Sequence, residues 1–289
     1  MSRNFSEKDL TLALAGCLRQ ASCELPEDVE NALRAAMKNE AAGSLALSIL
    51  VTIVQNVELA KTQQQALCQD TGLPAFYVSY PQGLSTRRIA ACIEHAVVVA
   101  TEAGYLRPNA VDPVTGLNSG NNLGTRIPYT VFTESDEPEI RIDCLLKGGG
   151  SENVSVQYSL PDSRIDASRD LEGVRRCVLD SVIRAKGNGC APGILGVGIG
   201  GDRITGLQTA KEQLFRRLTD TNPDPVLDDL ERSLLERSNA LGIGPMGLGG
   251  NTTLLGVKIG TAHRIPASFY VSVAYMCWAC RRNSLRFPL

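Results

Sequence analysis

The chain has 289 residues, 29 of them basic and 31 acidic, for a net charge of −2. That balance leaves no electrostatic footprint for nucleic acid or another polyanion, and no block of like charge marks an interaction tail. The length allows one large domain or two intimate ones; with no repeat, low-complexity stretch or plausible linker, a single domain over residues 1–289 is expected.

Met1 to Glu7 is polar and unlike a secretory signal. Ser6 can cap a helix reaching about Gln20, and Pro26-Glu27-Asp28 opens a second in which Val29, Leu33 and Met37 recur at i, i+4 and i+8. Leu45 to Leu67 reads as a third, apolar helix ending in polar Gln63-Gln64-Gln65. Together these predict a helical N-terminal part over about residues 1–67. The longest apolar run, Leu45 to Val54, is too short to cross a membrane, so a cytoplasmic protein with no membrane partner is expected.

Cys68-Gln69-Asp70-Thr71-Gly72 then forms a loop before a strand at Leu73 to Tyr80, which is rich in aromatic and β-branched residues. A soft thiol ligand sits there one residue from a carboxamide and two from a carboxylate, so metal and acid/base chemistry could share one loop. Ser85 or Thr86 caps a helix to about Ala103, and Tyr105 to Pro128 is a long loop dense in Pro, Asn and Gly. Glu139 to Leu146 and Asn153 to Leu160 alternate like strands around a glycine-rich turn at Lys147 to Ser151. Helices follow at about Ser168 to Lys186, Gly206 to Leu218 and Asp224 to Leu241, the last with Leu227, Leu230, Leu234 and Leu241 on one stripe. Thr252 to Ile259 and Ser268 to Tyr275 read as strands.

Nine cysteines, at 17, 23, 68, 92, 144, 177, 190, 277 and 280, are odd in number, which excludes a complete disulfide framework. With two histidines, His95 and His263, histidine-based zinc sites are disfavoured while thiolate sites of the iron–sulfur kind stay open. Gly242-Ile243-Gly244-Pro245-Met246-Gly247 matches the dinucleotide pattern, but it follows a helix and no acid occurs after Glu236 to hold a ribose. The glycine clusters at 148–150, 196–201 and 242–250 offer either ordinary turns or close backbone approach with N–H groups for an anion. From Arg237 to Leu289 the charged residues are Arg237, Lys258, Arg264, Arg281, Arg282 and Arg286, all positive, which suits an anionic neighbour or pairing with acids from earlier in the chain. Cys277-Trp278-Ala279-Cys280 lies at the end of an apolar strand, the wrong context for a thioredoxin-like motif.

Taken together, Cys68 to Gly72, Lys147-Gly148-Gly149-Gly150-Ser151-Glu152-Asn153, Gly189-Cys190-Ala191-Pro192 with Gly196 to Gly201, Leu241 to Asn251, and Cys277-Trp278-Ala279 with Arg281-Arg282 resemble one family. It is the α subunit of class I, iron–sulfur fumarate hydratases and of the related tartrate dehydratases. The resemblance runs from about residue 43 to 283 and implies a four-iron four-sulfur (4Fe-4S) cluster on Cys68, Cys190 and Cys277, with one iron open to substrate. It implies that Gln69, Asp70, Arg107 and Gly150 contact a small dicarboxylic acid and that Asp70 joins the acid/base machinery. The family usually has Cys-Pro-Pro where this chain has Cys190-Ala191-Pro192.

The expected fold is therefore mixed α/β, a helical N-terminal layer packed with irregularly interleaved strands and helices around one cluster-binding cavity. The expected activity is reversible hydration of fumarate to malate, a tricarboxylic-acid-cycle reaction, with a β subunit completing a heterodimer or heterotetramer. Tartrate or a mesaconate-type substrate is the alternative within the class, and a non-catalytic cluster-binding or redox-sensing protein the alternative outside it. The cysteine separations of 122 and 87 residues exceed any compact ligand run, so this ligand set comes from the resemblance and not from spacing.

Overall fold

The computed structural model describes residues 5–289. In chain order its elements are α1 (Glu7–Cys23), α2 (Glu27–Asn39), α3 (Leu45–Gln63), β1 (Leu73–Pro81), α4 (Thr86–Glu102), β2 (Tyr129–Ser135), β3 (Glu139–Lys147), α5 (Gly149–Asn153) and β4 (Val156–Ser159). They continue with α6 (Leu171–Ala185), β5 (Gly193–Gly200), α7 (Arg203–Gln213), α8 (Pro225–Ala240), β6 (Leu254–Ala262), β7 (Tyr270–Met276) and β8 (Arg281–Pro288). The chain is mixed α/β, as its pattern predicts. It divides into two compact units, one taking the chain up to Pro26 with Asn56–Gly149 and Arg281–Leu289, the other Glu27–Gln55 with Gly150–Cys280.

The first unit is built on a four-stranded sheet in the order β2-β1-β3-β8, with β2 parallel to β1 and the other two pairs antiparallel. Inward residues alternate as the pleat requires, Phe76 and Val78 on β1 with Ile140, Ile142, Cys144 and Leu146 on β3. α1, capped by the Ser6 hydroxyl, adds Leu10, Leu14 and Leu18, and α4 adds Ile89, Ile93 and Val97, all in one core. Each such fully buried aliphatic side chain contributes about 1.5–3 kcal/mol.

The second unit has a sheet in the order β4-β7-β5-β6, in which β5 and β6 are parallel. β5 reads Gly-Ile-Leu-Gly-Val-Gly-Ile-Gly because its two faces meet different neighbours. Leu195, Val197 and Ile199 join a core with Val174 and Val178 of α6 and Leu227, Leu230 and Leu234 of α8. On the other face α7 lies so close that a Cβ on Gly196 would stand 2.0 Å from the Ala210 carbonyl oxygen and one on Gly198 2.2 Å from that of Gly206. The glycines here serve helix-on-sheet packing rather than a cavity.

Four features differ from the sequence pattern. Lys147 to Ser151 is not a turn, because Gly149–Asn153 winds into the short helix α5, and the flanking strands β3 and β4 lie in separate sheets. β2 and β8 were not anticipated; β8 opens on the polar run Arg-Arg-Asn-Ser, pairs with β3 along its length and turns only Leu285 and Phe287 onto the core. The apolar run of α3 does not end at Val54: Val57, Leu59 and Ala60 continue it past Gln55 and Asn56. The 19-residue helix is thus long and apolar enough to cross a membrane by length and composition. Leu241, expected on the α8 stripe, is 39% exposed because it lies just past the helix end.

A buried carboxylate ties α8 to the second sheet. Glu231, 5% exposed, accepts from the Ile259 amide, the Asn222 carboxamide and Arg216 Nη1, each at 2.7 Å. Glu231→Ala leaves the buried Ile259 amide without an acceptor and takes one partner from Asn222 and Arg216, and should lower stability by about 3 kcal/mol in urea unfolding. Arg232→Ala, on the same helix but in exposed pairs with Asp228 and Asp229, should cost less than about 1 kcal/mol.

Candidate functional site

In the first unit, the Cys68–Gly72 loop leads from α3 into β1, as its sequence predicts. Its anchor is Thr71, 1% exposed, whose hydroxyl accepts from the Arg107 amide at 3.0 Å and the Asn109 carboxamide at 3.2 Å. Asn109 also donates to the Gly72 carbonyl at 3.2 Å. Fully buried Asn122 completes the clasp: its Oδ1 accepts from the Asn109 amide at 2.6 Å, and its Nδ2 donates to the Arg107 carbonyl at 2.8 Å and to Thr101 Oγ1 at 2.9 Å. Arg107 is thereby pinned at its backbone while its exposed guanidinium donates through Nη1 to the Gln69 carbonyl at 3.4 Å. Cys68, Gln69, Thr71, Tyr105 and Arg107 line one pocket of about 400 Å³.

Asp70 is held from behind. Arg281, 1% exposed at the start of β8, donates through Nη1 to the Asp70 carbonyl at 2.6 Å, and its Nε has no hydrogen-bond partner among the described residues. Asp70 Oδ1 accepts from the Gly72 amide at 3.2 Å. A Cβ at Gly148 would stand 2.6 Å from Asp70 Oδ2 and 3.3 Å from Arg281 Nη2, so both charged groups lie over that glycine. The structure thus brings Cys68, Gln69 and Arg107 to one pocket, with Asp70 on the same loop as Cys68 and Gln69. Sequence reasoning missed Thr71, Asn109, Asn122 and the role of Arg281, whose partners are all distant in the chain.

In the second unit, Cys190 sits on a turn with φ +54°, its amide donating to the Gly187 carbonyl at 3.0 Å. Its own carbonyl accepts from the Trp278 amide at 3.2 Å, which joins the Cys190 turn to the Cys277-Trp278 turn after β7. The Ala191 carbonyl accepts from Met246 at 2.8 Å, bringing in the 242–251 loop. That loop is no anion cradle. The Gly247, Leu248 and Gly249 amides bond within it, and those of Asn251 and Thr252 bond the buried Glu40 carboxylate at 2.9–3.0 Å. Gly150, exposed in α5, would place a Cβ 3.6 Å from the Asn188 carbonyl oxygen, two residues before Cys190. Tyr275 packs beside the two cysteines; burial, then the neighbouring Cys277 and Cys190 sulfurs, push its phenol up.

The nine cysteines separate by exposure. Cys190 is exposed, Cys68 and Cys277 are partly exposed, and the other six, including Cys280, are buried; none forms a disulfide. Burial pushes the Cys17 and Cys177 thiols up to about 12 and Cys144 well above the usual range. Cys68 lies in the first unit, Cys190 and Cys277 in the second. Among the described residues, no three His, Cys, Asp or Glu side chains already form a group that could hold a metal ion.

A family model described as fumarate hydratase (Fumerase) matches residues 11–286. The chain belongs to this family. It is similar to a protein of Geobacillus stearothermophilus named as a class I fumarate hydratase, with 49% identity over 266 residues, covering 91% of this chain and 52% of that protein. It is also similar to a protein of Methanocaldococcus jannaschii named as L(+)-tartrate dehydratase subunit alpha, with 39% identity over 276 residues, 94% of this chain and 95% of the relative. The L(+)-tartrate dehydratase subunit alpha of Escherichia coli strain K12 is 31% identical over 282 residues, 96% of this chain and 90% of the relative. The chain therefore spans about half the length of the Geobacillus protein and nearly all of the two proteins named as alpha subunits.

The exposure pattern gives a direct test. In metal-free protein, an aromatic disulfide reagent should label three thiols quickly and six only after unfolding. Serine at Cys68, Cys190 or Cys277 should each remove one fast equivalent, and serine at Cys280 none. Fast labelling of Cys280 in the folded chain would contradict this partition.

Proposed function

We propose that this chain is the α subunit of a hydro-lyase that carries a four-iron four-sulfur cluster on Cys68, Cys190 and Cys277 and interconverts malate and fumarate in the cytoplasm. The observation that carries the reading is the division of the cysteines: the three positions singled out by resemblance are the three that burial leaves accessible. The donor set fits the group. Soft thiolates suit iron–sulfur ligation, no disulfide competes for them, and a buried hydroxyl with no partner among the described residues stands beside two of them.

When bound, such a cluster supplies a Lewis-acidic iron at which a hydroxyl group is polarised. The chain's own residues do the rest. Arg107, its backbone fixed by Thr71 and Asn122, offers its guanidinium fork to one substrate carboxylate. The Gln69 carboxamide and the Gly150 amide hydrogen-bond the remaining oxygens and fix the rotation of the dicarboxylate. Asp70, held over Gly148 by Arg281, exchanges a proton through its carboxylate with the carbon beside the substrate carboxylate. Holding these groups in register removes orientational entropy from the step. A β subunit covers the site and supplies the remaining contacts, a role consistent with relatives named as alpha subunits and with a Geobacillus relative of which the matched region covers 52%.

Tartrate is the second reading, favoured by relatives of matching length that carry the tartrate dehydratase name. The substrate is decided by anaerobic reconstitution with the partner subunit and assay on fumarate, malate, tartrate and mesaconate. On the same preparation, Cys277→Ser should abolish the brown colour and the iron and sulfide bound, while Cys280→Ser should leave both nearly intact. The reverse result would move the ligand three residues along, and no cluster in the parent protein would end the reading.

A further inference from the structure

Tyr275 lies near the end of β7 and is 1% exposed, yet its hydroxyl has no hydrogen-bond partner among the described residues. Its ring is fixed by close packing: a Cβ on Gly189 or on Gly193 would come within 2.4 Å of it. Those glycines bracket Cys190, and Cys277 follows Tyr275 by two residues. Both sulfurs lie near enough to act on the phenol electrostatically. A core that needs an aromatic ring here could use phenylalanine, which fills the same space and buries no polar atom. A rigidly held hydroxyl beside two accessible thiols calls for an acceptor that the described residues do not provide.

We propose that the Tyr275 hydroxyl donates a hydrogen bond to a sulfur of the iron–sulfur group held by Cys190 and Cys277. The inference rests on the cluster reading above and adds to it a residue outside the ligand set and outside the substrate contacts. Sulfur bound to iron carries negative charge, and a donor to it stabilises the state with one more electron. Tyr275 therefore tunes the cluster's potential and its resistance to oxidation; it neither ligates iron nor moves a proton in the hydration.

The test compares the parent protein with Tyr275→Phe, both reconstituted anaerobically with iron and sulfide. Bound iron and sulfide should be equal, and the metal-free variant should unfold at a temperature no lower than the parent, since it loses an unsatisfied hydroxyl. In a redox titration followed by electron paramagnetic resonance, the variant's equilibrium constant for one-electron reduction should fall by about tenfold. That corresponds to about 59 mV more negative. Fluorotyrosine at position 275 keeps the packing and strengthens the donor, so it should move the potential the other way. Equal loading with an unchanged potential in both variants overturns the role of Tyr275 and leaves the cluster reading standing. Background iron in the parent protein overturns that reading, and this inference with it.

Discussion

One backbone hydrogen bond, from the Trp278 amide to the Cys190 carbonyl, joins two cysteine-bearing turns that are 87 residues apart in sequence. The geometry of the second unit around the site depends on it. For that bond to form, β7 must run antiparallel to β5 so that Met276 reaches Ile194 at the register's end. Tyr275 must also fit against Gly189 and Gly193, which have no side chain to block it. The Ser155 hydroxyl, which accepts from the Tyr275 amide at 3.1 Å and donates to the Ser151 carbonyl at 3.0 Å, ties α5 into the same arrangement. Neither cysteine turn is placed by its own sequence; each is placed by the adjoining strand, β5 after Cys190 and β7 before Cys277.

The first unit solves a similar problem with polar side chains. A loop carrying Gln69 and Asp70 has few apolar atoms to bury, so its position must come from hydrogen bonds. Thr71, Asn109 and Asn122 supply them from one side and Arg281 from the other. Arg281 is a buried cation hydrogen-bonded to a carbonyl, and such a group is costly unless local dipoles compensate it. Its position beside Asp70 and Gly148 is where a site that handles anions would keep positive charge.

Much of this was legible in the sequence where local chemistry decides. Ser6 caps α1 as its spacing indicates, and the heptad-like leucines 227, 230 and 234 face the core. The 68–72 loop falls between helix and strand as expected. What local pattern could not show is whatever depends on a distant partner. β8 looks like an exposed polar tail until β3 pairs with it, and the glycines of β5 look like a ligand loop until α7 covers them. The acid-free C-terminal stretch divides the same way: Lys258 and Arg286 pair with the earlier acids Asp220 and Glu139, while Arg281 is committed to Asp70. The metal-ligand candidates came from motif resemblance; exposure then separates those three cysteines from six buried ones with a physical criterion independent of the motifs.

The central claim is that three thiolates hold a cluster whose remaining iron is left for a dicarboxylate. Mössbauer spectroscopy of protein reconstituted with iron-57 reads this directly, because each iron reports its own ligands. The account predicts one distinct iron site carrying about a quarter of the signal. Adding malate or fumarate should change that site and leave the thiolate-bound irons as they were. Four equivalent irons, or a spectrum unmoved by saturating dicarboxylate, would contradict it.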